Sequence, residues 1–223
     1  FLRPLWPVDE TRYLAVAWEM WQRGDFLVPY LNGEAYSHKP PLLFWLIHAW
    51  WAVFGVNEWW PRLVPSLLAF AGVVLMRRLA RQLWPEQAEL ANTATWIVFG
   101  TLLFAALFTL LGFDPLLMCS TLIGMLGTVR AVRGERMRGF FWLGVGIGLG
   151  VLSKGPVILL HLLPAAVLAP WWATLPRGTI VRWYLGVLGA LLLGAAIALA
   201  WAAPAAYFGG EIYRNAIFWG QTA

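Results

Sequence analysis

A few charged residues stand apart from the rest of the chain by type and setting. Asp9-Glu10 opens a polar stretch that closes at His38-Lys39. Asp114 lies in a tight connection between two apolar runs, with no other charge from Glu89 to Arg130. Lys39 and Lys154 are the only lysines, all other basic side chains being arginines. A carboxylate close to hydrocarbon is costly and marks a functional position by default. Asp9 and Asp114 could act as general base or hold a substrate in place. Two compact ammonium groups near two carboxylates suit a phosphate-bearing substrate at the level of lipid headgroups, with Arg12 and Arg62 assisting.

Each residue also has a plainer reading. Asp9 suits the N-cap of a helix beginning at Thr11. Asp114 followed by Pro115 is a common helix opening. The lysines could be snorkelling anchors. His38, His48 and His161 have no metal-site spacing, and a divalent metal finds no support there. His38 alone sits with the acidic pair. His48 reads as an interfacial residue, and His161 as a hydrogen-bond partner inside a bundle. Tyr207, Glu211, Tyr213 and Arg214 form a polar cluster that reads as a re-entry loop with interfacial anchors. No glycine-rich phosphate loop and no Ser/His/Asp pattern is visible.

The elements that must position these groups are helical and membrane-bound. Of 223 residues, 61% are hydrophobic and only 12% charged, about half the charge of a soluble domain. The apolar runs are continuous and lack the alternation of a membrane barrel. The fold class is therefore all-α, a polytopic transmembrane helical bundle. Apolar spans are predicted at 60–79, 92–111, 115–131, 139–153, 156–173 and 183–203. Glycines at 144, 146, 148 and 150 allow close helix contacts. Thr11–Arg23 reads as a short helix with Tyr13, Leu14, Ala17, Trp18 and Trp21 on one face. It is too short to cross a membrane and should lie in the interface. Asn32-Gly33 marks a turn.

The arginines define one side. Arg77, Arg78 and Arg81 lie in one loop, Arg130, Arg133, Arg136 and Arg138 in the next, and Arg177 and Arg182 in a third. The positive-inside rule puts these loops in the cytoplasm. The apolar stretch 41–56 is then decisive. If it spans, Asp9 and Asp114 fall on opposite sides. If it lies in the interface, Asp9, Lys39, Asp114, Lys154 and Glu211 share the outer face, the reading that its length and tryptophans favour. This divides the chain into an interfacial, outward loop region (1–57), a bundle of about six helices (58–203) and an outward segment (204–223). The pattern begins at Phe1 and ends at Ala223 in mid-pattern, which reads as part of a longer chain with a preceding membrane helix and a further C-terminal portion. One cysteine, Cys119, excludes a disulfide within the chain. The net charge of +5 reports topology and does not imply nucleic acid.

These residues also carry a resemblance. Asp9-Glu10-Thr11-Arg12-Tyr13, Gly24-Asp25-Phe26-Leu27-Val28-Pro29 and Lys39-Pro40-Pro41 before an aromatic run resemble the first outer loop of membrane glycosyltransferases with the C-type fold. The branch resembled is that of the bacterial aminoarabinose (lipid A) transferases and the protein O-mannosyltransferases. Asp114-Pro115-Leu116-Leu117 is similar to that family's second acidic motif, and Ser153-Lys154-Gly155-Pro156 to its lysine-glycine motif. The resemblance implies a polyprenyl-phosphate-linked sugar donor, a lipid, protein or polysaccharide acceptor, inverting transfer, and a site at the periplasmic face of the bacterial inner membrane. It implies Asp9 and Asp114 as catalytic carboxylates. It implies that Glu10, Arg12, Tyr13, Lys39, Arg62 and Lys154 bind substrate, with Lys39, Arg12 and Lys154 on the donor phosphate. Many relatives carry an acidic residue where His38 stands, so no metal role carries over there.

Two other classes compete. A transporter or flippase of a lipid-linked substrate would place charge at mid-depth, whereas these charges cluster at one face. A non-catalytic scaffold predicts that Asp9→Asn and Asp114→Asn are silent.

Overall fold

The computed structural model describes residues 5–101, 110–176 and 178–220. Residues 1–4, 102–109 of the predicted span 92–111, Arg177 and residues 221–223 lie outside the described residues. The chain is a bundle of long helices closed at one end by shorter elements.

The closing elements come first. Helix α1 (Asp9–Arg23) buries Tyr13, Val16, Ala17 and Met20. Its inward stripe is therefore rotated from the expected one, and Trp18 lies outside it at 42% exposure. Strands β1 (Tyr30–Leu31) and β2 (Glu34–Ala35) pair antiparallel around Asn32-Gly33. Both turn residues have positive φ, 56° and 86°, which a two-residue hairpin of this hand requires. Helix α2 (Leu42–Phe54) follows.

The bundle comprises α3 (Trp59–Leu83), α4 (Ala88–Phe99), α5 (Asp114–Val132), α6 (Arg136–Lys154), α7 (Val157–Val167), the short α8 (Ala169–Trp172) and α9 (Ile180–Phe208), before α10 (Gly210–Phe218). Among the described residues, α3, α5 and α9 are long and apolar enough to cross a membrane. Three of the expected spans are therefore such helices among the described residues. Helices α4 and α7 are shorter, and the predicted span 156–173 breaks at Leu168. Helix α6 has the length of α5, but its glycines and terminal charges dilute its hydropathy. Pro204 does not end its span, because α9 continues through it to Phe208. The expected re-entry loop is instead a helix turn at Gly209 followed by α10.

Glycine sets the spacing of α5 and α6. A Cβ at Gly146 would lie 2.6 Å from the Gly124 backbone nitrogen, and one at Gly127 would lie 2.5 Å from that of Leu143. The opposite face of α6 meets α9, where Gly148 faces Ile197. These contacts run α5 and α6 antiparallel and α6 and α9 parallel, so Asp114, Lys154 and Phe208 lie at one end of the bundle.

Helix α2 begins and finishes at that same end. Its Leu46 carbonyl accepts from Trp60 Nε1 of α3 at 3.1 Å, and its Trp51 Nε1 donates to Asn57 O at 3.0 Å. Val64 of α3, in turn, packs with Phe113 and Leu116 at the start of α5. At 13 residues, α2 is about 20 Å long, short of the roughly 30 Å hydrocarbon core.

His48, read as an interfacial residue, packs inside the protein. It is buried, and its Nε2 meets the Ala17 carbonyl at 2.8 Å, joining α2 to α1 among Trp21, Phe26 and Trp51. His161 bonds Val157 O of its own helix at 2.9 Å and does not link helices. Cys119 is free and buried.

A cavity where three helix ends meet

Three helix ends and one loop converge on a cavity of about 410 Å³. Asp9 is the first residue of α1, Asp114 the first of α5 and Lys154 the last of α6. Lys39 enters from the loop before α2. These four line the cavity with Glu10, Tyr13, Phe113 and Pro115. The helix dipoles favour this sorting of charge, with carboxylates at N-termini and an ammonium at a C-terminus.

Neither aspartate acts as the expected cap. The N-cap positions are Val8 and Phe113, and neither helix has a side-chain cap bond. The carboxylates engage cations instead. Asp9 accepts from Arg12 Nη2 one turn along α1. Asp114 Oδ1 accepts from Lys154 Nζ at 2.6 Å, across 40 residues of sequence. Their side chains remain 65% and 70% exposed, so a ligand can reach both.

Glu10 behaves differently. It is 2% exposed. Oε1 accepts the Leu111 N–H at 2.8 Å and Oε2 the Trp6 N–H at 2.6 Å. The acidic pair therefore divides into one carboxylate facing the cavity and one fastened into its wall.

Lys39 makes no ion pair among the described residues, and its ammonium lies 5.9 Å from the Phe113 ring centroid. Burial holds it below the usual lysine range. The Lys154 charge acts in the same direction, against Asp114 and Asp9. A half-buried ammonium beside a second ammonium is a site that an anion would relieve. Phe113 meets Tyr13 and Phe44 edge-on at 5.0 and 5.6 Å, which fixes the wall under Lys39.

Arg12 lies over the Tyr13 ring, 5.5 Å from its centroid, and is not itself among the residues lining the cavity. Arg62 occupies the first turn of α3 and is not among the residues lining the cavity. Tyr36 escaped sequence reasoning because it carries no charge, and its loop position three residues before Lys39 was the only signal. Its hydroxyl is buried without a hydrogen-bond partner among the described residues. Burial pushes it up to about 12, against the opposing effect of Arg12. Tyr36 does not itself line the cavity; Trp6 and Leu110 do, and nothing in their residue types announced it. Among the described residues, no three His, Cys, Asp or Glu side chains are grouped closely enough to hold a metal ion.

The arrangement can take up an anionic group between Lys39 and Lys154 and present a carboxylate to a hydroxyl beside it. Known proteins share its framework. A model of the dolichyl-phosphate-mannose-protein mannosyltransferase family matches residues 38–208. The undecaprenyl phosphate-alpha-4-amino-4-deoxy-L-arabinose arabinosyl transferase of Pseudomonas aeruginosa is 32% identical over 89% of this chain and 36% of its own. That of Pseudomonas savastanoi is 31% identical over 89% and 37%. The chain thus spans little more than a third of these curated relatives. The crystal structure of ArnT from Cupriavidus metallidurans bound to undecaprenyl phosphate superposes with a TM-score of 0.76 at 23% identity, over 99% of this chain and 40% of that one. The apo form gives 0.73 at 22% identity, over 98% and 40%.

Proposed function

The chain belongs to the dolichyl-phosphate-mannose-protein mannosyltransferase family, and from that premise and the cavity we propose that it transfers a sugar from a polyprenyl-phosphate-linked donor to an acceptor hydroxyl. The observation that carries the reading is the meeting of Asp9, Asp114, Lys39 and Lys154 in one cavity at one end of an apolar bundle. The relatives named for an undecaprenyl-phosphate-linked aminosugar make such a lipid the donor to try first. The acceptor is a lipid A-like lipid, a protein or a polysaccharide.

In this reading the donor phosphate sits between Lys39 and Lys154, with Arg12 assisting. The acceptor oxygen attacks the anomeric carbon from the face opposite the phosphate. The bond from that carbon to the phosphate oxygen breaks, and the configuration inverts. Asp9 takes the acceptor proton, and the electron pair leaves with the polyprenyl phosphate. A phosphate leaving group needs charge neutralisation more than protonation, and the ammonium groups supply it. Asp114 holds Lys154 in place and balances its charge between turnovers. Helices α1 and α2 lie in the interface as the floor of this site, which opens to the periplasm of a bacterial inner membrane. The arginine-rich end faces the cytoplasm. A flippase reading has less support, because the charges gather at one end and not along the bundle.

A complementation experiment tests the reading. The gene is deleted, then restored as full-length wild type or Asp9→Asn at matched expression, and envelope glycolipids, glycans and glycoproteins are weighed by mass spectrometry. The expected result is one glycan increment that vanishes on deletion, returns with wild type and stays absent with Asp9→Asn. Full restoration by Asp9→Asn would remove Asp9 from the chemistry.

A further inference from the structure

We propose that Glu10 is a positioning residue that clasps the two aspartate-bearing walls of the cavity together and does not itself bind substrate. Its role in turnover rests on the transferase reading above. Glu10, in the first turn of α1, bonds the connection before α5 at Leu111, 101 residues away in sequence. Glu10 Oε2 holds the Trp6 N–H and Oε1 the Leu111 N–H. Both donors would otherwise be buried or half-buried backbone groups lacking these acceptors, a costly state. The neighbour of Glu10 in sequence is Asp9, and Asp114 lies three residues beyond Leu111. The clasp therefore sets the relative placement of the two exposed carboxylates through a few bonds on each side.

Position and geometry separate this role from ligand binding. A substrate-binding carboxylate should offer an oxygen to the cavity, as Asp9 and Asp114 do. Both oxygens of Glu10 already accept backbone hydrogens, and the residue is 2% exposed. The contact between Tyr13 and Phe113, 5.0 Å between centroids, joins the same two walls one turn further along α1. It keeps them in contact when the clasp is cut, so the loss should fall on alignment and not on folding. Misalignment of about 1 Å at a reacting centre costs turnover steeply.

The test uses the full-length protein in vesicles with undecaprenyl phosphate-alpha-4-amino-4-deoxy-L-arabinose as donor probe. Wild type, Glu10→Gln and Glu10→Ala are compared for kcat, donor KM, melting temperature and amide hydrogen exchange of the segment 110–114. Glu10→Gln keeps the size but offers only one acceptor oxygen. The expected result for both variants is exchange at 110–114 faster by about tenfold or more, since about 1.4 kcal/mol is a factor of ten. Exchange in α9 should be unchanged. The kcat should fall by a similar factor or more with donor KM within about twofold, by the rule that loss confined to the transition state leaves ground-state binding intact. Unchanged exchange at 110–114 overturns the clasp. A raised donor KM with unaltered kcat makes Glu10 a ligand and overturns the positioning role. A fall in melting temperature that Glu10→Gln and Glu10→Ala share, with exchange faster in every helix, makes Glu10 a general stabilising residue and overturns it as well. If wild type transfers nothing, the transferase reading fails by itself, and the exchange measurement still decides whether the clasp exists.

Discussion

Lys39 is the residue on which the electrostatics of the cavity converge. Burial and the neighbouring Lys154 ammonium hold it below the usual lysine value of 10.5, and Asp114 and Asp9 only partly offset them. Binding a phosphate requires the ammonium form. Donor affinity should therefore fall as pH rises through this lowered pKa, earlier than for an ordinary lysine. A bound phosphate shifts the equilibrium back by favouring the charge. The expected profile of kcat/KM has an alkaline limb below 10.5, measured in vesicles with the lipid-linked donor. Lys39→Arg keeps the charge at every accessible pH and should move that limb upward, at some cost in geometry. Lys39→Ala should raise donor KM by about tenfold or more, the loss expected for a charged hydrogen bond. An unmoved limb in Lys39→Arg would assign the titration to another group. Asp114 is read through its partner. Asp114→Asn removes the acceptor that Lys154 reaches at 2.6 Å and also removes a charge that supports the Lys39 ammonium. The alkaline limb should then fall further, whereas Asp9→Asn should abolish turnover at all pH values.

At the scale of elements, the packing of α5 on α6 is the most sequence-sensitive feature. At Gly146 an added methyl would meet the backbone of Gly124 at 2.6 to 2.7 Å and the Ser120 carbonyl at 2.8 Å. Backbone cannot step aside as a flexible side chain can, so the helices must separate. Gly146→Ala should destabilise by about 1–3 kcal/mol, the range for overpacking. Gly189, on α9, has nothing within 4 Å. Gly189→Ala should be neutral or stabilise by up to about 1 kcal/mol through helix propensity. Thermal melts in one detergent compare the two directly, and equal effects would deny the close contact. The glycine run of α6 announced such contacts in the sequence, as did the apolar runs of α3, α5 and α9 and the turn at Asn32-Gly33. The grouping of Asp9, Lys39, Asp114 and Lys154 around one cavity was legible for a similar reason, since they are rare types in their surroundings. Pairwise choices were not legible. An aspartate at a helix start suits capping, yet Arg12 and Lys154 compete for those carboxylates and win. Two adjacent acids give no sign of which is buried, because Glu10 is decided by Leu111, a hundred residues away. Tyr36 and the Trp201 Nε1 bond to Leu27 O at 2.9 Å depend on contacts that neither periodicity nor charge reports.

For the molecule as a whole, the question is which side of a membrane each end occupies. The cavity end gathers Asp9, Lys39, Asp114 and Lys154. The opposite end holds Arg78 and Arg81 at the end of α3, Arg133 after α5, Arg136 at the start of α6, and Arg182 at the start of α9. The positive-inside rule supports the proposed cytoplasmic placement of this end. Helix α2 is the hinge of the assignment, because a spanning α2 would put His38 and Glu58 on opposite sides. The contacts of Leu46 with Trp60 and of Trp51 with Asn57 instead return the chain to the end it left. Single cysteines at His38, Glu58, Arg78 and Arg136, in a Cys119→Ala background, test this with a membrane-impermeant maleimide on spheroplasts. His38→Cys and Glu58→Cys should label without permeabilisation, and Arg78→Cys and Arg136→Cys only after it. Labelling of His38→Cys and Glu58→Cys from opposite sides would make α2 a span and separate Asp9 from Asp114 by the bilayer. The one-cavity mechanism could not survive that result. Labelling of both from the cytoplasm alone would keep the cavity intact but turn it inward, toward a donor pool on the other leaflet.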